Sequence, residues 1–147
     1  MNLGVQFKKL NPDAKIPTRG SAEAAGLDLS ACGNDGLWVV LPGCTILVPT
    51  GLCMSLPPGY EGQIRPRSGL ALKHCITVLN APGTVDSDYR GEIKVMLINH
   101  GTTPVTIHTG DRIAQLVIAK VEMLEPEEVE QLSNTDRGAK GFGSSGI

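Results

Sequence analysis

Glycine and proline interrupt this chain so often that its apolar runs reach strand length and little more. The 18 glycines and 10 prolines separate "LWVVLP", "TILVPT", "GLCMSLP", "GQIRPR", "ITVLN", "EIKVMLIN", "TPVTIH" and "RIAQLVIAKV", each of which reads as a strand. "LPPGYEG" supplies a turn between two of them. One short helix interrupts the array at "SGLALKH", where Ser68 is placed to cap the first turn. Many short strands joined by Gly/Pro turns predict an all-β, jelly-roll-like sandwich or barrel.

Two strands say more. In "EIKVMLIN", Ile93, Val95 and Leu97 share one face, while Met96 and Ile98 share the other with Lys94. "RIAQLVIAKV" is apolar on both faces. A sheet with one solvated face alternates more cleanly, so these strands need two covers. The second cover is either another sheet of the same subunit or another copy of the chain; a homo-oligomer is expected.

The 147 residues suffice for one domain that buries roughly 70% of its unfolded surface. A β-rich body is expected over residues 1–124 and a C-terminal arm over 125–147. The character of the chain changes after Val121: the acidic "EMLEPEEVEQL" leads out into the arm, which ends in "SNTDRGAKGFGSSGI". Its last eleven residues, 137–147, extend to at most ~36 Å, enough to reach a neighbouring subunit. A net charge of -2 and a pI near 5.9 exclude a general nucleic-acid binder, but not a local anion site. The four cysteines form no C-x-x-C pair, so they read as small core hydrophobes in a reducing compartment. With neither a signal-peptide core nor an apolar membrane span in view, no membrane association and a cytoplasmic location are expected.

Five stretches carry polar groups of chemical interest. In "AGLDLSA", Asp28 stands in an apolar run. "RPRSGLALKH" brings Arg65, Arg67 and Ser68 to the start of the helix, where free N–H groups favour anions. "NAPGTVDSDYRGEI" reads as a hairpin with Asp86, Asp88, Tyr89 and Arg90 at its tip. Asp86 follows the apolar Val85 and is expected to be partly buried and suited to general-base work. In "GDRIAQLV", Gln115 should point the same way as Ile113 and Val117 and therefore needs a partner. Finally, "GFGSSG" spells G-x-G-x-x-G, yet no helix and no acidic partner follow, so it is not a dinucleotide fingerprint. Arg137 can still fork onto phosphate, and Phe142 offers a stacking face in a chain with only five aromatics.

Taken in order, "AGLDLSA", "PRSGLA", "GTVDSDYRGEI", "GDRIAQLV" and "RGAKGFGSSG" closely resemble the five motifs of the homotrimeric all-β dUTPases, over residues 25–146. The resemblance implies Mg²⁺-dependent hydrolysis of dUTP to dUMP and pyrophosphate at three sites shared between subunits. It implies that Asp86 is the general base and that Tyr89 packs against the deoxyribose and excludes a 2′-hydroxyl. Asn80 and the backbone around Gly83, Thr84, Val85 and Lys94 would read the uracil edge. Arg67, Ser68, Gly69 and Gln115 would hold the phosphate chain, and Asp28 would act on the metal through its waters. Phe142 would cover the uracil, while Arg137, Gly143, Ser144 and Ser145 would close over the triphosphate. The chain departs from the family pattern at Lys140, where Gly is common, and at Ser145, where Thr is frequent. The related dCTP deaminases, which share the fold, use a catalytic Glu in place of this Asp-x-x-Tyr, so Asp86 with Tyr89 favours dUTPase over deaminase.

Overall fold

A computed structural model describes residues 4–34 and 36–145. Eleven strands and one helix are present among them. The strands are β1 (Gln6–Lys9), β2 (Thr18–Arg19), β3 (Gly26–Ser30), β4 (Leu37–Val40), β5 (Thr45–Ser55), β6 (Tyr60–Arg65), β7 (Ile76–Val78), β8 (Gly83–Val85), β9 (Glu92–Asn99), β10 (Val105–His108) and β11 (Arg112–Lys120). Helix α1 spans Ser68–His74. The strands form a sheet ordered β1-β5-β9-β7, a second ordered β2-β3-β11-β6-β8, and a separate β4–β10 pair. Every pairing is antiparallel, and the all-β expectation holds.

The core lies between the sheets. Leu29 from β3, Ile93 and Leu97 from β9, Ile76 from β7 and Leu116 from β11 are all fully buried. Polar side chains inside it are paired, as burial requires. Thr50 Oγ1 donates to the Ile93 carbonyl at 2.6 Å. Asn99 Nδ2 donates to the Val40 and Thr103 carbonyls at 2.9 and 2.8 Å, and its Oδ1 accepts from Gly101 N–H at 2.8 Å. Asn99 thereby ties the end of β9 to β4 and to the turn that follows.

"TILVPT" and "GLCMSLP" are not two strands but one, β5. Gly51 has φ +68°, a conformation that glycine adopts without strain. The register against β9 shifts between Pro49 and Cys53, so the glycine carries the strand through a bulge instead of ending it. Pro49 stands just before the bulge, where β1 does not yet pair with β5, and it contributes its carbonyl alone, accepting from Cys32 N–H at 2.8 Å, so no ladder N–H is called for.

β9 does alternate. Ile93, Val95 and Leu97 face inward, whereas Met96, opposite Leu47, lies outward with both side chains exposed. In β11 a register shift between Arg112 and Ala114 places Ile113 and Ala114 both in the core. Gln115 therefore shares a face with Val117 but not with Ile113, contrary to simple alternation.

Helix α1 starts one residue earlier than its cap signal implies. Arg67, with φ -95° and ψ 132°, is the last extended residue; Ser68 lies inside the first turn, and no side chain caps it. Of the cysteines only Cys32 is a core residue; Cys44 and Cys75 are exposed and Cys53 is half-buried. Burial, aided by the charges of Asp13 and Glu92, pushes the Cys32 thiol up. Among the described residues, no helix is long and apolar enough to cross a membrane.

Candidate active site

The segment carrying Asp86 and Tyr89 is not a hairpin tip. β8 pairs with β6 at the edge of the five-stranded sheet, while β9 lies inside the four-stranded one. Residues 86–91 are thus the passage from one sheet to the other. A turn closes there, with Tyr89 N–H donating to the Asp86 carbonyl at 3.1 Å. Arg90 Nη1 reinforces it by donating to the Ser87 and Tyr89 carbonyls at 2.7 and 3.0 Å. The Tyr89 hydroxyl donates to the Glu92 carbonyl at 3.1 Å.

The divergence of the two sheets at this point opens a pocket of about 390 Å³. Leu47, Ile64, Val85 and Ile93 give it an apolar floor, and Asn80, Gly83, Thr84, Asp86, Tyr89, Glu92 and Lys94 give it a polar rim. Such a mixture, apolar walls with a few aimed polar groups, suits a small flat ligand. Seven residues expected from sequence, Asn80, Gly83, Thr84, Val85, Asp86, Tyr89 and Lys94, line this one pocket. The expected partial burial of Asp86 is not found: Asp86 is exposed, because the passage lies at the rim and not under the sheet.

A second group forms on β3, β11 and the entry to α1. Asp28 and Gln115 are direct partners across β3 and β11. Arg67 Nε lies 3.6 Å and Arg112 Nη1 3.2 Å from the Asp28 carboxylate, and Arg67 Nη1 donates to the Arg112 carbonyl at 2.9 Å. Part-exposed pairs of this kind contribute about 0–1 kcal/mol, so their effect is to orient the guanidinium groups more than to hold the fold. Two cations around one carboxylate leave a net positive locus. Gln115 Nε2 donates to the Pro66 carbonyl at 2.9 Å, beside Arg67. Gly26 makes room for that amide, since a Cβ there would sit 3.1 Å from both Gln115 Cβ and Cδ and closer still to Oε1. Ser68 and Gly69 follow at the exposed start of α1.

The third group is the tail. Every residue from Glu122 to Lys140 is exposed and outside helix or strand. Arg137 Nε donates to the Lys140 carbonyl at 3.0 Å, and Ser144 N–H donates to the Gly141 carbonyl at 3.1 Å. Gly138 and Gly143 have positive φ, as does Phe142 at 49°, unusual for a bulky side chain. Phe142 is wholly exposed. Gly146, the last glycine of the tail pattern, lies outside the described residues. No hydrogen bond or ion pair joins one group to another among the described residues.

The donor set bears on a metal. Among the described residues, no cluster of three or more His, Cys, Asp or Glu side chains is arranged to hold one, and the Asp28 carboxylate already faces two guanidinium groups. These residues fit a magnesium ion carried on a ligand's phosphates, since Mg²⁺ retains several waters and needs few protein carboxylates. Asp28 would then meet those waters and not the ion.

The model of the dUTPase family matches residues 12–146 of the chain. The chain belongs to the dUTPase family. All three groups of residues fall inside that match. A deoxyuridine 5′-triphosphate nucleotidohydrolase of Syntrophotalea carbinolica is 53% identical over 145 residues, covering 99% of this chain and 98% of that protein. The dUTPase of Staphylococcus bacteriophage 80alpha superposes with a TM-score of 0.90 at 28% identity, both chains covered in full, in a structure with dUpNHpp. Its G164S mutant, also with dUpNHpp, gives 0.90 at 27% identity over the same full coverage.

Sequence reasoning missed four residues that shape this dUTPase-family site. Arg112 pairs with Asp28 only because β11 runs beside β3. Gly26 beside Gln115, and Gly91 beneath the Tyr89 ring, act by what they leave empty, which composition does not show. Glu92 was legible as a charge but not as a brace: its Oε1 accepts from Gly51 N–H at 2.9 Å and its Oε2 lies 3.7 Å from Lys94 Nζ.

Proposed function

We propose that the chain hydrolyses dUTP to dUMP and pyrophosphate, dependent on Mg²⁺, at sites assembled between the subunits of a homotrimer. One observation carries this reading: the residues assigned to the base and sugar line one pocket, those assigned to the phosphates gather around Asp28, and among the described residues no hydrogen bond or ion pair joins either to the tail. The 390 Å³ pocket is of a size for a nucleoside. A dUTPase of the same fold binds dUpNHpp, a dUTP analogue. The exposed Leu47–Met96 patch supplies apolar surface for a subunit contact.

Uracil enters the pocket edge-on, read by Asn80 and by backbone groups at Gly83, Thr84, Val85 and Lys94. Tyr89 packs against the deoxyribose and leaves no room for a 2′-hydroxyl. Arg67, Ser68, Gly69 and Gln115 hold the phosphate chain. Asp86 takes a proton from water as its oxygen attacks the α-phosphorus in line, the bond to the bridging oxygen breaks, and pyrophosphate leaves. Asp86 needs an exposed position for this, since it must reach both water and the α-phosphate. When bound, Mg²⁺ would neutralise triphosphate charge, and Asp28 would be the residue to hold its waters. Phe142 covers the uracil while Arg137, Gly143, Ser144 and Ser145 close on the triphosphate. In this reading residues 1–124 form the catalytic body and 125–147 the arm and lid, and the enzyme works in the cytoplasm.

Pyrophosphate release measured across dUTP, dTTP, dCTP and UTP, with and without Mg²⁺, tests the reading. Release from dUTP should exceed the others by about 10²-fold or more and fall sharply without the metal. Ammonia from dCTP would instead make the chain a deaminase, and equal turnover of all four nucleotides would remove the assigned specificity.

A further inference from the structure

The core does not fix the Tyr89 ring, which is 45% exposed. Its place is set by the hydroxyl bond to the Glu92 carbonyl and by the empty space over Gly91. A Cβ on Gly91 would stand 2.5 Å from Tyr89 Cζ and 2.9 Å from Cε2, and closer still to the hydroxyl oxygen. These are atoms of a rigid ring, so the whole side chain would have to swing away. The three atoms nearest that Cβ all belong to Tyr89. Gly91 is not among the glycines with positive φ, so its φ does not itself require glycine. What it supplies is clearance, directly under the side chain assigned above to the sugar.

We propose that Gly91 is a positioning residue for sugar discrimination: its missing side chain lets the Tyr89 ring fold down to the place where it blocks a 2′-hydroxyl. This rests on the role given to Tyr89 above. Alanine at 91 would lift the ring and open the space beneath the sugar, admitting the ribonucleotide.

The readout is the ratio of kcat/KM for dUTP over UTP, which a loss of fold alone would not move. In Gly91→Ala the ratio should fall about tenfold or more. In a Tyr89→Ala background the same substitution should leave it within about twofold, since coupled residues are not additive. Tyr89→Phe, which removes only the hydroxyl bond, should keep it within about threefold. An unchanged ratio in Gly91→Ala, or an equal fall in both backgrounds, overturns the proposal. If Gly91→Ala does not fold, Tyr89→Phe decides: a retained ratio supports clearance as the determinant, and a collapsed one assigns the position to the hydroxyl bond. Should Tyr89→Ala itself keep the wild-type ratio, the reading of Tyr89 fails, an outcome separate from failure of the Gly91 proposal alone.

Discussion

Replacing Asp86 by asparagine is expected to abolish pyrophosphate release while leaving dUTP bound nearly as tightly as before. The amide matches the carboxylate in shape but cannot take a proton from water. Loss of a general base costs about 10²–10⁴-fold in rate. Binding should survive because Asp86 holds nothing else in place: its carboxylate takes part in no hydrogen bond or ion pair among the described residues, and only its backbone carbonyl joins the turn through Tyr89 N–H. Single-turnover rates with dUTP, set beside calorimetric titration of the variant, separate the two effects. Turnover at the wild-type rate would remove Asp86 from the chemistry; lost binding with the chemical step intact would make it a substrate-binding group.

Removal of residues 137–147 should have the next largest effect. Turnover should fall by about 10²-fold or more, since several phosphate donors and the base cover leave together. The oligomer should persist, because among the described residues the tail from Arg137 onward makes only local bonds, such as Arg137 to Lys140 and Ser144 to Gly141. Light scattering checks the assembly and the pyrophosphate assay checks the rate. Full activity after truncation would mean that the glycine-rich tail is ornamental. The positive φ of Gly138 and Gly143 is what such a lid needs, as glycine folds over a ligand without strain, although ordering it costs conformational entropy on each closure.

Much of the fold was legible because glycine and proline mark where strands end; which face of β9 is buried was not, since Met96 and Ile98 make its outward face look apolar as well. Errors arose where one residue altered the period. Gly51 joined two apparent strands into one, and the bulge before Ala114 turned Gln115 away from Ile113. The passage at 86–91 looked like a hairpin because β8 and β9 are close in sequence, and only the pairing of β8 with β6 shows that they belong to different sheets. The site was legible in its polar members, whose chemistry is written in their side chains. Gly26 and Gly91 were not, since a void becomes visible only when Gln115 or Tyr89 is seen to fill it. Exposure of Asp86 was also hidden, because burial depends on where the two sheets part company.

In the proposed trimer, one chain's pocket is closed by another chain's tail. Mixing two inactive proteins, Asp86→Asn and the chain truncated before Arg137, tests it most directly. Each carries its own affinity tag, and the doubly tagged oligomers are isolated before assay. In such a hybrid, a truncated chain offers an intact Asp86 pocket to the intact tail of its Asp86→Asn neighbour. Pyrophosphate release from dUTP should therefore reappear, well above that of either parent. Doubly tagged oligomers as silent as their parents would place each tail over its own pocket and contradict the account.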